Sequence, residues 1–264
     1  MKINDLVIRK KYQGDIVFRV IGKMNDIFIL KGEFVRLIAD AREDDLEEYI
    51  PNKKQNLILP RIKSFDHYVK GKVLHIDGDE LYLRRAMEAY SKYKVEAFGY
   101  YIKEGDMKYR IKELLIEHNP DILVITGHDS FKSKEDKYKI ESYINSKFFV
   151  DTVLEARKVR SDKDDLIIIA GACQSYFEEL IKAGANFASS PNRNNIHLLD
   201  PVIVASFLAN SRINEPIDIE YILVNTISKE LGGIETHGKA RKIYVGGSHY
   251  IWSWLKLMQK LMQV

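Results

Sequence analysis

The chain has 264 residues, of which 45% are apolar and 30% are charged, with 41 basic against 38 acidic side chains. This small positive balance indicates neither nucleic acid nor an anionic membrane surface as a partner. The first residues lack the apolar core of a signal peptide, and no stretch approaches the roughly 18 uncharged apolar residues of a membrane span. The single cysteine cannot form an internal disulfide. We therefore expect a globular, intracellular protein without a membrane span, a cofactor or a bound metal.

The first part of the chain is rich in short β-type runs separated by Gly, Asn and Asp turn signals. These runs are "DIVFRVIGK", "IFILKGE" and "VRLIAD", and the charged segment "AREDDLEEY" follows them. The pattern predicts a small β-barrel-like module, similar to an SH3 domain, over residues 1–62. Because its run to residue 60 contains no His or Cys, we expect it to position substrates and not to perform chemistry.

From residue 70 onward, continuous apolar runs alternate with helical patterns. The strand candidates include "KVLHIDGD", "VEAFGYYI", "DILVITGHD", "DLIIIAGAC" and "NFASSP", and the helix candidates between them include "ELYLRRAMEAYSKY" and "MKYRIKELLIEHN". Apolar runs bounded by helices are typical of a parallel sheet that is covered on both faces. The sequence predicts an α/β domain over residues 70–264, with a mainly parallel sheet sandwiched by helices and a less regular C-terminal part.

Two reactive side chains follow strands of this predicted sheet. His128 comes directly after "DILVITG", and Cys173 ends "DLIIIAGAC", 45 residues later. That separation suits one crossover helix between neighbouring parallel strands, and ligands gather where the carboxyl ends of such strands meet. We therefore predict that His128 and Cys173 emerge side by side as a catalytic dyad.

The chemistry of a thiol nucleophile suits this arrangement. A helix N-terminus and an adjacent imidazolium both stabilise the thiolate that attacks a carbonyl group, and "QSYFEELIKAG" predicts a helix directly after Cys173. Gly171 lets the chain turn sharply before the cysteine. The predicted oxyanion donors are the backbone N–H of Cys173 and one beside His128, from Gly127 or Asp129.

Each of these residues also has a plainer interpretation. A lone cysteine is usually an inert, buried small side chain, and Asp129 can cap a following helix. The polar segment "NFASSPNRNNIHLLDPV" suits a substrate-binding loop, with Ser189, Ser190, Asn192 and Asp200 as its candidate residues, or else a solvated loop with a cap at Asp200. The paired glycines of "LGGIETHGKA" suit a flexible flap or a turn, and we expect the turn. The amphipathic "YIWSWLKLMQKLM" predicts a helix that packs on the domain or on a second subunit, which would make a homo-oligomer.

The segment "GACQS", with a histidine upstream, resembles the local signature of caspases, Q-A-C-[RQG]-G with a His about 50 residues before it. The wider caspase-like cysteine peptidases, which include clostripain, gingipain and separase, share this strand-His and strand-Cys pattern. Those enzymes usually have Gly after the His, whereas this chain has Gly127 before it and Asp129 after it. The resemblance implies a caspase-like fold.

A closer resemblance covers nearly the whole chain. The segments "GDIVFRVIGK", "FVRLIADAREDDLEE", "VLHIDGD", "PDILVITGHD", "AGACQSYFEELIKAGANFASSPNRNNIHLLDPV" and "LGGIETHG" are similar to the sporulation-specific peptidase family YabG of endospore-forming bacteria. The resemblance implies a cysteine endopeptidase in the mother-cell cytoplasm that processes spore coat, cortex and germination proteins next to basic residues and cleaves itself. It carries the catalytic roles onto His128 and Cys173. The segment after Gly238 departs from the family and receives no inherited role.

A basic side chain beside the cleaved bond needs a carboxylate in its pocket, because an unpaired desolvated charge costs several kcal/mol. By proximity to the dyad we expect Asp129 first and Asp200 second. Two alternatives remain open. One is a glutamine-amidotransferase-like hydrolase with His197 or His237 as the base, and the other is a non-catalytic factor that binds spore proteins.

Overall fold

A computed structural model describes residues 1–51, 59–62, 70–132, 134–189, 191–211, 217–229, 231–233 and 243–244. The N-terminal part forms a five-stranded antiparallel sheet in the order β4-β3-β2-β1-β5. Its strands are β1 (Leu6–Arg9), β2 (Val17–Met24), β3 (Ile27–Gly32), β4 (Ile38–Arg42) and β5 (Leu46–Glu48). β4 and β5 lie at the two edges, and among the described strands no pairing between them closes the predicted barrel.

A separate small core holds this sheet together. Alternate residues along its strands are buried, as expected for a sheet with one covered face. They are Val7, Phe18, Val20, Phe28, Leu30, Ala41 and Leu46. The sequence predicted the positions of β2 and β3, but it began the next strand at Val35, whereas β4 begins at Ile38.

The larger sheet has six strands in the order β12-β10-β9-β8-β6-β7. Five are parallel to one another, and β12 pairs antiparallel with β10 at one edge. The strands are β6 (Val73–Asp77), β7 (Ala97–Tyr101), β8 (Ile122–Thr126), β9 (Ile167–Ala170), β10 (Phe187–Ser189) and β12 (Leu231–Gly233). The mainly parallel α/β sheet is therefore confirmed, and "LGG" forms an edge strand where the sequence predicted a turn.

Helices cover both faces of this sheet, as the apolar strands require. Residues of α1, α5 and α6 share one buried cluster with the strands, and residues of α2, α3 and α4 share another on the opposite face. The helices are α1 (Glu80–Lys92), α2 (Met107–His118), α3 (Ser146–Val159), α4 (Phe177–Ala183), α5 (Asp200–Asn210) and α6 (Ile219–Val224). Two further short strands, β11 (Ile217–Asp218) and β13 (Ile243–Tyr244), pair in parallel.

None of the helices in the described part of the chain is long and apolar enough to cross a membrane. The predicted C-terminal helix "YIWSWLKLMQKLM" and His237 lie outside the described residues. The same holds for most of the segment between the N-terminal sheet and β6, so the two domain boundaries stay predictions.

Candidate active site

β8 and β9 are neighbours in the sheet, and they run parallel in the register Ile122 to Ile167. The two loops that follow them leave the same edge, which confirms the predicted neighbourhood of the strand ends. A side-chain contact ties the loops together, since the backbone N–H of Phe131 donates to Gln174 Oε1 at 3.1 Å. No hydrogen bond within the described part of the chain joins Cys173 directly to His128, so the dyad stays a prediction.

The chain turns sharply in front of the cysteine. Gly171 has a φ of +107°, which an L side chain rarely adopts, and Gln174 has a φ of +57°. The first turn of α4 begins at Phe177 and not at Gln174, because residues 171–176 are used for the turn. The predicted helix N-terminus therefore does not lie directly behind Cys173.

Cys173 is fully buried, and burial raises the pKa of its thiol to about 11. Its Sγ accepts from the backbone N–H of Ile196 at 3.3 Å and faces the carbonyl oxygen of the same residue at 3.7 Å. The positive charge and the backbone N–H of Arg36 both oppose the rise in pKa. The thiolate expected from the sequence is not stabilised in this arrangement, because desolvation outweighs the neighbouring donors.

His128 is held by partners on both its ring and its backbone. Its Nε2 lies 2.7 Å from Asp79 Oδ2, while its backbone N–H donates to Glu104 Oε1 at 2.9 Å. Its Nδ1 is buried and has no hydrogen-bond partner among the described residues. One ring nitrogen is thus oriented by a carboxylate, and the other is left for a proton transfer.

Asp79 is a site residue that the sequence reasoning missed. It caps α1 by accepting from the backbone N–H groups of Leu81 and Tyr82. Burial alone would raise its pKa, but hydrogen bonds from His128 and Lys31 lower it to about 2. The segment "HIDGDE" contained the signal, because it spans the carboxyl end of β6 and the residues after it, and β6 is the neighbour of β8 on the side away from β9.

Asp129, the first candidate for a specificity carboxylate, is buried among neutral donors. It accepts from the backbone N–H groups of Ser130 and Asn145 at 2.9 and 2.8 Å, and from the hydroxyls of Ser146 and Ser175 at 2.5 and 2.9 Å. Burial raises the pKa of this carboxyl group. The geometry therefore favours a supporting role that links the His128 loop, the start of α3 and the Cys173 loop.

The polar loop gives a similar result for Asp200. Its carboxylate is fully buried and accepts from the backbone N–H groups of His197, Ile227 and Ser228 and from the Ser228 hydroxyl. Burial raises the pKa of Asp200. Of the remaining loop candidates, Ser189 is buried at the end of β10, Asn192 is exposed, and Ser190 lies outside the described residues.

The most unexpected part of the site comes from the N-terminal sheet. Residues 33–37, which connect β3 to β4 and are called the hairpin tip below, enter the carboxyl edge of the larger sheet. The guanidinium of Arg36 donates to both oxygens of Asp77, at 3.0 and 2.7 Å, and to the carbonyl oxygen of Gly127 at 3.3 Å. Both charged side chains are fully buried. Because Arg36 neutralises it, the pKa of Asp77 stays well below its usual range although burial acts in the opposite direction.

The hairpin tip also contacts the segment that carries His197. Val35 forms an isolated antiparallel bridge with His197, and the backbone N–H of Leu198 donates to the Phe34 carbonyl oxygen at 3.0 Å. The rings of Phe34 and His197 stack with centroids 6.1 Å apart. Burial lowers the pKa of His197 to about 4. His197 Nδ1 accepts from the backbone N–H of Leu199 at 3.1 Å, so this nitrogen is already engaged in the structure.

The fold and these strand-end residues are those expected of a hydrolase built on a parallel sheet, and comparison with known proteins gives the class. A family model described as YabG peptidase U57 matches residues 2–62 and 59–245. The chain belongs to this family of peptidases, as the resemblance in its sequence segments predicted. It is 43% identical to the sporulation-specific protease YabG of Bacillus subtilis (strain 168) over 279 residues, which cover 91% of this chain and 96% of that protein.

Proposed function

We propose that the chain is a sporulation-specific cysteine endopeptidase with Cys173 as nucleophile and His128 as general base and acid. The observation that carries the proposal is the pairing of β8 with β9, which sends both loops to one sheet edge. Asp79, at 2.7 Å from His128 Nε2, holds the imidazole in one orientation and stabilises its protonated form. A carboxylate in this role is a general feature of nucleophile-histidine pairs.

In the proposed reaction, Cys173 Sγ attacks the carbonyl carbon of the scissile peptide bond while its proton passes to His128 Nδ1. The backbone N–H of Cys173, with that of Gly127 or Asp129, stabilises the oxyanion. The proton then moves from His128 to the leaving amine, and the C–N bond breaks to leave a thioester. Water hydrolyses the thioester with His128 as base, which releases the new carboxyl group and restores the thiol.

The substrates that we propose are proteins of the spore coat, the cortex and the germination apparatus, cut next to basic residues, together with the chain itself. The name of the 43% identical relative supports a role in sporulation. The proposed place of action is the cytoplasm of the mother cell, at the surface of the forming spore.

The decisive test is digestion of a spore coat extract by the purified chain, with cleavage sites identified by mass spectrometry. We expect Cys173→Ala to abolish cleavage while the protein stays folded, since the chain contains no second thiol. His128→Ala should be nearly as severe, and His197→Ala should be mild. Retained cleavage by Cys173→Ala would contradict a cysteine peptidase.

The same experiment separates the two alternatives. If His197→Ala were severe and His128→Ala mild, an amidotransferase-like hydrolase with His197 as base would be favoured. The hydrogen bonds of His197 do not decide this order, because its Nδ1 accepts from Leu199 whereas its Nε2 is buried without a hydrogen-bond partner among the described residues. A coat extract whose band pattern never changes would indicate a factor that binds spore proteins without cutting them.

A further inference from the structure

The hairpin tip packs on the segment that contacts the proposed nucleophile. Cys173 is fully buried, and its Sγ accepts from the backbone N–H of Ile196. The hairpin tip contacts the two residues that follow Ile196, through the bridge of Val35 to His197 and the hydrogen bond from Leu198 to the Phe34 carbonyl oxygen. A polypeptide substrate cannot reach a thiol in this position. If Cys173 attacks substrates, some element must move away first. Among the described residues, the hairpin tip is the part of the N-terminal sheet that packs on the segment next to the thiol.

The α/β domain binds the Arg36 side chain in a pocket made of preorganised acceptors. The carboxylate of Asp77 lies at the carboxyl end of β6 and presents both oxygens to the guanidinium. The hydroxyl of Thr126 donates to one oxygen at 2.9 Å, and the backbone N–H of Asp79 donates to the other at 2.9 Å. The Gly127 carbonyl oxygen adds a third acceptor. A planar guanidinium is the cation that fits such a forked set of acceptors.

The other carboxylates near the strand ends differ from Asp77 in one respect. Asp129 and Asp200 accept only from backbone N–H and hydroxyl groups, whereas the partner of Asp77 is a cation delivered by another part of the fold. When that cation leaves, the acceptors on the sheet stay in place. Asp77 then keeps the Thr126 hydroxyl, the Asp79 backbone N–H and, at 3.5 Å, His75 Nε2 as neighbours, but it loses the guanidinium that balances its charge. A replacement cation is therefore favoured, because breaking a buried ion pair leaves an uncompensated charge.

We propose that the hairpin tip is an internal occupant of the substrate cleft and that Asp77 is the residue that binds the arginine side chain of a substrate once the hairpin tip withdraws. This inference rests on the proposed function and deepens it by naming the pocket for the basic residue. Lys31 of β3 also occupies an acidic residue of the site, because its ammonium group pairs with Asp79, the partner of His128. The β3–β4 hairpin thus engages both acidic residues at the end of β6.

The backbone of the hairpin tip explains how it occupies the cleft without being cut. The backbone N–H of Leu37 donates to the Val35 carbonyl oxygen at 2.8 Å, and that of Gly32 donates to the Leu37 carbonyl oxygen at 2.7 Å. The chain therefore turns tightly around Arg36 and does not run extended, as a bound peptide strand does. The peptide bond after Arg36 is accordingly held but not presented for attack.

The first test measures exposure of the thiol in the full chain and needs no catalysis. Iodoacetamide labelling of Cys173, the only cysteine, is followed by intact mass in Phe34→Ala and in the matched control Ile38→Ala. Phe34 and Ile38 are similarly exposed, at 44% and 46%, but only Phe34 belongs to the hairpin tip and stacks on His197. We expect Phe34→Ala to raise the labelling rate at least about fivefold, because it shifts the population toward the open tip, and Ile38→Ala to leave it unchanged.

The second test measures selectivity with two short fluorogenic peptides that carry arginine or its neutral isostere citrulline before the scissile bond. We expect Phe34→Ala to raise kcat/KM for the arginine peptide at least about fivefold, the factor expected for thiol labelling. Asp77→Asn should lower the arginine-to-citrulline ratio of kcat/KM at least about tenfold, since the guanidinium loses its charged, bidentate partner. Asp129→Asn is the control, and it should change both peptides equally.

The outcomes separate this inference from the proposed function. Unchanged labelling in Phe34→Ala, an unchanged peptide ratio in Asp77→Asn, or a cut between Arg36 and Leu37 in the wild type would each overturn the inference. Full cleavage by Cys173→Ala would instead overturn the proposed function, while the labelling rates would still report on the hairpin tip. If the Asp77→Asn variant does not fold, the labelling rate of Phe34→Ala decides whether the hairpin tip covers the thiol.

Discussion

At the scale of single residues, Asp79 joins two tasks, since it caps α1 and holds His128 Nε2. We predict that Asp79→Asn keeps the cap, because Asn and Asp are nearly equivalent at this position. The variant loses the negative charge that orients and stabilises the imidazolium, so kcat should fall about 10²- to 10⁴-fold. Steady-state kinetics on a short arginine peptide, together with a thermal unfolding curve, check both halves of the prediction.

A matched control is available in the same domain. Asp218 caps α6 by accepting from the backbone N–H of Tyr221, and no histidine contact is seen for it in the described structure. Asp218→Asn should leave kcat unchanged. If both variants had the same kcat, Asp79 would be a helix cap and nothing more.

The sequence predicts His128 and Cys173 as the dyad but does not reveal Asp79 and Arg36, and the reason is physical. A reactive side chain directly after an apolar strand can be located from the strand alone, because the sheet edge fixes where it emerges. Asp79 and Arg36 lie 49 and 92 positions before His128 in the chain. Asp79 reaches the site because β6 pairs with β8, and Arg36 because the N-terminal hairpin packs on the larger sheet; neither arrangement can be read from the order of residues. Asp79 also has the ordinary appearance of a helix cap.

At the scale of elements, the turn before Cys173 depends on Gly171. A Cβ atom there would lie 2.9 Å from Leu180 Cδ1 and 3.2 Å from the Ser189 carbonyl oxygen, and its φ of +107° disfavours any side chain. We predict that Gly171→Ala lowers the free energy of unfolding by about 1–3 kcal/mol and also lowers kcat by displacing Cys173. Urea unfolding and peptide kinetics measure the two effects.

Gly22→Ala serves as the comparison, because a Cβ atom at Gly22 would contact only the Ile29 side chain, at an ordinary 3.9 Å. This variant should be close to the wild type in both measurements. A Gly171→Ala protein that matched it would show that the turn tolerates a side chain and that Cys173 does not need this geometry.

The sequence predicted the positions of strands with continuous apolar runs well. It did not predict element ends that depend on the conformation of an adjoining loop. Strands β6, β8 and β9 are buried along their whole length, so composition alone identifies them. The start of α4 was placed three residues too early because the Cys173 turn uses polar residues that equally suit a helix start. Val35 and Arg36 read as strand residues, yet they form the hairpin tip because Arg36 finds its partner in a different sheet.

At the scale of the whole molecule, His197 lies where the N-terminal sheet meets the α/β domain. Its folded pKa of about 4 lies below the ordinary value of 6.5 because it is buried. The unfolded chain therefore binds the proton more readily, so the stability from neutral His197 is complete above pH 6.5 and is lost as the pH falls toward 4. We predict that between pH 7 and 5 the wild type loses about 2 kcal/mol more than His197→Gln does.

Urea titrations of both proteins at the two pH values test this prediction. The comparison with the variant removes the contributions of other groups, among them Asp129 and Asp200, whose raised pKa values act in the opposite direction. Equal losses in the two proteins would mean that His197 is protonated as easily in the folded chain as in the unfolded one.

The hairpin tip and the cleft that it fills belong to one covalent chain. Their association is therefore first order, and dilution does not separate them. A tethered segment of this kind competes at an effective concentration on the order of millimolar, so a short peptide at micromolar levels is a weak competitor for the pocket. A long protein that also binds elsewhere on the surface is held near the pocket as well, so its effective concentration there is comparable to that of the hairpin tip. We therefore expect the chain to cleave large, multiply bound protein substrates in preference to short peptides, because only the former displace the hairpin tip effectively. This preference would act in addition to any selection of the residue beside the cut bond.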